Sequence, residues 1–144
     1  MIQQLLKEIG YNAWIYKEGR ERNLYTLETL CNQLSFGFNP TTLMTDKEKA
    51  MYLKGFFDAE GGVPRTSGKF YIQLTQKDYE KVNMLKTLLE ELGIKTGKIH
   101  NPSKRVDPHY WRIFIRTKHH NIFARTIGSF HPIKGPILRE RMKI

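Results

Sequence analysis

The carboxylates Asp58 and Glu60 stand two residues apart at the end of an amphipathic stretch, residues 51–62, and run directly into the pair Gly61-Gly62. Thr45 followed three residues later by Glu48 has the spacing of a capping box and predicts a helix from about Asp46. Gly61 or Gly62 is expected to end that helix in the left-handed conformation. Both acidic groups then lie at a helix C-terminus, where the macrodipole disfavours negative charge and a bound cation would remove the penalty. Gly55 is a second oddity, because glycine inside a helix costs about 1 kcal/mol relative to alanine. With Ala59 four residues on, it forms a stripe of small residues against which another backbone can pack closely. Local rules broken together in this way mark a functional site.

The charge balance indicates a partner. Residues 1–94 hold 12 Lys or Arg and 12 Asp or Glu, whereas residues 95–144 hold 12 and 2, so the whole net charge of +10 lies in the last third. Asymmetry of this size points to a polyanion, and nucleic acid is favoured over a membrane surface because no helix pairs a basic face with a strongly apolar one. The longest apolar run is only a few residues, so no secretory or transmembrane segment is expected. Cys31 is the single cysteine, which excludes a disulfide framework or a cysteine zinc site within one chain and suggests an intracellular compartment. His100, His109, His119, His120 and His131 lack zinc-ligand spacing.

Several elements must position the carboxylates. Residues 5–10 read as a helix end with a glycine stop, and residues 13–16 and 24–27 as strands. The order helix, glycine, strand, basic turn, strand recurs from Leu88 to Arg116, which suggests an internal repeat. Residues 37–44 read as a linker, dividing the chain into 1–44 and 45–144. After the carboxylate helix, residues 63–66 and 69–75 flank Ser67-Gly68 as a hairpin. Phe70, Ile72 and Leu74 alternate with Lys69, Tyr71, Gln73 and Thr75. Residues 78–92 form a helix with Val82, Leu85, Leu88, Leu89 and Leu92 on one side. A second hairpin spans 97–100 and 110–116, with Trp111, Ile113 and Ile115 opposite Arg112 and Arg116. A helix at 118–127 with Ile122, Phe123 and Ile127 inward, and a basic helix from Ile137, complete the chain. The fold class is α+β, with the order αββαββα and one polar, cationic sheet face.

Residues 53–61, Leu-Lys-Gly-Phe-Phe-Asp-Ala-Glu-Gly, resemble the LAGLIDADG motif of homing endonucleases, with Lys as the second residue and Glu in place of the second Asp. The order of elements over residues 45–144 is that of one half of such an enzyme. The resemblance implies that Glu60 is a metal ligand and that Gly55, Ala59 and Asp58 belong to the interface between paired motif helices. Leu74-Thr75-Gln76-Lys77 resembles the segment whose glutamine orients water, which falls on Gln76. Phe130-His131-Pro132-Ile133-Lys134 resembles the segment with the active-site lysine, which falls on Lys134. Bound Mg²⁺ would supply the hydrolytic chemistry, and the hairpins would enter the major groove of double-stranded DNA. Arg65, Lys69, Tyr71, Gln73, Lys98, Arg112 and Arg116 are the candidate DNA contacts.

A single motif in the chain implies a homodimer through the motif helix, cleaving a specific DNA site. Two alternatives stand beside this reading. One is a DNA- or RNA-binding regulator or intron maturase that does not cleave. The other is an inactive remnant of a two-motif enzyme, in which residues 1–38 are the tail of a lost first half.

Overall fold

A computed structural model describes residues 2–32, 34, 37–66 and 68–144. The chain divides into two compact units, Met1–Asn39 and Pro40–Ile144.

In the first unit, helix α1 (Ile2–Glu8) is followed by Gly10, whose φ of +87° allows the reversal into strand β1 (Ala13–Lys17). Strand β2 (Tyr25–Thr29) pairs antiparallel with β1, with Ala13 opposite Thr29 and Lys17 opposite Tyr25. The hairpin therefore starts and ends slightly later on its second arm than the expected 24–27. Side chains close its Ala13–Thr29 end: Thr29 Oγ1 donates to Asn12 O at 2.8 Å and Gln3 Nε2 to Ala13 O at 2.7 Å. Among the described residues of this unit, Leu6 and Cys31 are the buried apolar ones.

The second unit begins with a 3₁₀ turn, Pro40–Thr42, in the segment expected to be linker. Helix α2 (Asp46–Glu60) opens with the anticipated capping box. Glu48 N donates to Thr45 Oγ1 at 3.2 Å, and Thr45 N donates back to the Glu48 carboxylate at 2.9 Å. Strand β3 (Gly61–Gly62) follows without a break, pairing with β4 (Gln73–Gln76), which in turn pairs with β5 (Trp111–Phe114) in a three-stranded antiparallel sheet. Helix α3 (Tyr79–Glu91), N-capped by Asp78, lies between β4 and β5 in sequence and ends at Gly93, with φ of +73°. Helices α4 (His120–Thr126) and α5 (Lys134–Met142) complete the unit.

Alternation in the strands and helical spacing in α2 and α3 build the core. Leu53 and Phe57 of α2, Ile72 and Leu74, Val82, Leu85 and Leu89 of α3, Ile113, Phe123, Ile127 and Leu138 are fully buried. The Phe57 and Phe123 rings meet edge to face, with centroids 5.1 Å apart.

Four expectations are corrected. The first hairpin is paired only at 61–62 against 73–74, and the two longer strands expected at 63–66 and 69–75 are not formed between them; Ser67, placed at the turn, lies outside the described residues. The first arm of the second hairpin is reduced to two bridges, Thr96 to Ile115 and His100 to Arg112. Ile122 is exposed, and the small Ala124 takes the inward position in α4. Helix α5 starts at Lys134 rather than Ile137, because His131 Nδ1 accepts from Ile133 N at 3.1 Å and so closes the first turn early. Pro136 still falls in that first turn, where its missing N–H costs nothing.

Candidate active site and nucleic-acid interface

The site is built around the C-terminal end of α2. Gly61 follows the helix in extended conformation, with φ −83° and ψ 162°, and Gly62 has no positive φ either, so neither ends the helix in the expected left-handed form. The requirement at Gly61 is close approach: a Cβ there would lie 2.1 Å from Phe57 Cδ2 and 2.6 Å from Phe57 O. Glycine lets the chain pass directly from helix to strand over a fully buried phenylalanine. Glu60 is thereby delivered to the surface at the junction, and its backbone carbonyl accepts from Thr75 Oγ1 at 3.0 Å on the neighbouring strand.

A side chain of the same unit brings one positive charge to this helix end. Lys134 Nζ donates to Phe57 O at 2.9 Å and to Asp58 O at 2.8 Å, capping two terminal carbonyls. Burial lowers the pKa of this lysine, while the nearby Asp58 and Glu60 carboxylates act in the opposite direction and Arg65 again lowers it. Asp58 turns to the segment before α5, accepting from Ser129 Oγ and, at 3.0 Å, from Phe130 N. Lys54, one of the residues that depart from the motif, lies over the Phe130 ring with its ammonium 4.2 Å from the centroid. Gly135 permits α5 to start against this segment, since a Cβ would sit 2.9 Å from Ser129 O.

The other predicted site residues are distributed around this junction. Gln76, at the end of β4, accepts from Lys77 N at 2.7 Å through Oε1 and makes no hydrogen bond to Glu60 or Lys134 among the described residues. On α2, Gly55 and Ala59 are exposed in line with Met51, and a Cβ on Gly55 would meet nothing within 4 Å. No group of three or more His, Cys, Asp or Glu side chains converges among the described residues.

The sheet carries the remaining candidates. Arg65, Lys69 and Tyr71 are exposed on the loop between β3 and β4, Lys98 is exposed, and Gln73 and Arg112 are half-buried. Gln73 covers Gly62, whose added Cβ would come within 2.9 Å of the Gln73 amide nitrogen. Arg116 is exposed but turned aside, with Nε donating to Thr96 O at 2.9 Å. Sequence reasoning missed the aromatic character of this surface. His100 stacks on Phe114 at 5.6 Å, the edge of Tyr71 meets Phe114 at 5.7 Å, and Tyr110 lies beside Arg112. It also missed Thr75, Ser129 and Phe130, which touch the motif only through the tertiary fold. The position of Thr75 opposite Arg112 in the β4–β5 register was the available signal for the first.

A helix ending in an exposed carboxylate, with a lysine at the same helix end, runs here into an antiparallel sheet with a basic aromatic face, which places the chain among α+β proteins. The profile of the LAGLIDADG-like domain matches residues 47–128. The chain belongs to the LAGLIDADG homing endonuclease family. It is 36% identical over 90 residues to the homing endonuclease I-ApeI of Aeropyrum pernix, a match covering 62% of this chain and 39% of that protein. The match thus spans well under half the length of that relative. Among solved structures, the fold resembles I-DmoI in complex with DNA and Ca, with TM-score 0.67, 21% identity, 96% of this chain and 73% of that one covered. An I-DmoI variant in complex with its target DNA in the presence of Mg aligns with TM-score 0.63 and 23% identity over 88% of this chain and 68% of that one.

Proposed function

We propose that the protein is a site-specific DNA endonuclease that uses a divalent metal, Mg²⁺ by preference, and acts as a homodimer through the exposed face of α2. The observation that carries this reading is the exposed Glu60 carboxylate at the α2–β3 junction, with Lys134 fixed at the same helix end. The donor chemistry suits a hard, oxygen-seeking cation, since Glu60 offers carboxylate oxygens and Mg²⁺ completes its shell with waters and phosphate oxygens. One chain supplies a partial site, and Glu60 from a second copy would complete it. Such a metal, when bound, supplies an activated water and neutralises charge on the phosphodiester.

The chain's own residues have separable tasks in this reading. Glu60 holds the metal. Lys134, tied to the carbonyls of Phe57 and Asp58, keeps positive charge beside the carboxylates and stabilises negative charge developing on phosphate oxygens. The Gln76 amide group orients water. Asp58 fixes the 129–130 segment and through it the start of α5. Arg65, Lys69 and Lys98 provide phosphate attraction, while Tyr71, Gln73 and Arg112 face base edges in the major groove. Gly55 and Ala59 leave room on α2 for the same stripe of a second copy.

DNA binding without cleavage is the second reading, and the basic aromatic sheet face serves it as well as the first. Glu60→Gln separates the two. Duplex nicking with Mg²⁺ or Mn²⁺ should fall by two or more orders of magnitude, while binding in a mobility-shift assay is retained. An unmodified protein that binds duplex DNA and never nicks it would establish the second reading instead. Light scattering at high salt tests the dimer, and a monomer at high concentration would remove the basis for a complete site in two copies.

A further inference from the structure

The β5 arginine is held in a way that the other cationic candidates are not. Arg112 lies in the middle of the sheet face, its guanidinium carbon 5.3 Å from the centroid of the Tyr110 ring and 5.6 Å from that of Phe114. Its Nη2 donates to Tyr110 Oη at 3.2 Å. The Phe114 ring is itself fixed between His100, stacked on it, and the edge of Tyr71. The backbone below is pinned by a reciprocal pair: Arg112 N donates to His100 O at 2.9 Å, and His100 N donates to Arg112 O at 3.0 Å.

Arg112 Nε is buried and has no hydrogen-bond partner among the described residues. Buried donors are ordinarily satisfied, and exceptions concentrate where function sets the position of a group. Packing between rings therefore places this guanidinium, and it leaves the Nη edge as the donor face.

We propose that Arg112 is a specificity-determining residue that reads a guanine in the major groove through its Nη groups. The inference rests on the DNA-binding reading given above and goes beyond it in assigning a base. A planar fork fixed before binding loses little side-chain freedom, and bidentate donation to O6 and N7 of guanine is the contact that geometry matches. Phosphate contacts need no such orientation and fall to the freely exposed Lys69 and Lys98. Arg112 also stands opposite Thr75, which touches the Glu60 carbonyl, so the base it reads lies near the cleavage centre.

The test is selection from a random-sequence duplex pool in Ca²⁺, comparing the full chain with Arg112→Met and Tyr110→Phe, with folding checked by circular dichroism. The unmodified protein should enrich a site with guanine at one position. Arg112→Met should lose that preference by roughly tenfold or more while the other positions keep theirs, and Tyr110→Phe should weaken it at the same position. Weaker binding across all sequences with the guanine preference intact would make Arg112 a phosphate contact and overturn the proposal alone. Should Arg112→Met fail to fold, an unchanged guanine preference in Tyr110→Phe overturns it equally. If the unmodified protein enriches no sequence, the DNA-binding reading itself fails and the proposal falls with it.

Discussion

The two ends of helix α2 are closed by different means. At the N-terminus Thr45 and Glu48, three residues apart, satisfy each other's backbone donors. At the C-terminus the Gly61 N–H is joined on the Phe57 carbonyl by Lys134, 77 residues away, and the last carboxylates point in different directions, Asp58 into the fold and Glu60 to the surface. A helix start is a local matter, set by a few adjacent side chains. Here the helix finish is a tertiary matter, and it is the end at which a reaction can be positioned. In the proposed function, stability and chemistry share the same lysine.

Substitutions at the C-terminal end should therefore be the more damaging. Gly61→Ala is expected to have the largest effect, since its methyl group overlaps the Phe57 ring and carbonyl. Displacing a fully buried ring to relieve such overlap costs about 3 kcal/mol, measured by urea unfolding, and cleavage should be lost with it. Lys134→Met keeps the stem but removes the ammonium from both carbonyls, leaving Phe57 O with the Gly61 N–H alone and Asp58 O without its lysine donor. A loss of about 2 kcal/mol is expected in the same measurement, with cleavage falling further than binding; unchanged stability would mean that water replaces the ammonium. Thr45→Ala, at the other end, should cost about 1 kcal/mol and leave cleavage per folded molecule unaltered, which single-turnover kinetics can establish.

Acid should sharpen the contrast. Hydrogen bonds from Thr45 and Met44 lower the Glu48 pKa below its ordinary 4.5. The contribution of Glu48 is thus present above that value and lost as pH falls through the lower folded value. Below pH 4.5 the unmodified protein should lose melting temperature more steeply than Glu48→Gln, whose side chain does not titrate. Equal slopes in the two proteins would show that the box contributes nothing pH-dependent.

The same division explains what was legible in the sequence. The capping box, the α3 stripe and the alternation of Ile72 with Leu74 and Ile113 with Ile115 depend on neighbours within a few residues, and the structure follows them. The α+β order of elements was readable for the same reason. Gly61 was recognised as required but for the wrong cause, because its demand comes from the Phe57 side chain packed beneath it and not from its own dihedral angles. Ile122 was misplaced because a seven-residue helix gives periodicity too few turns to resolve its inward face. The contacts of Asp58 with Ser129 and Phe130, 71 and 72 residues away, and the aromatic setting of Arg112 arise only when distant segments are folded together.

The link between α2 and the segment before α5 runs in both directions. Asp58 grips the backbone at 130, and Lys134 grips the backbone at 57 and 58. Among the described residues the hydrogen bonds of this bracket come from α2 and the 129–134 segment, and Thr75 reaches the junction from the sheet. In the proposed function, the residues that hold the metal and those that face base edges thus sit on separate elements joined at Thr75. Rewriting the outward residues of β4 and β5 around a preserved Thr75 would change the address without loosening the blade.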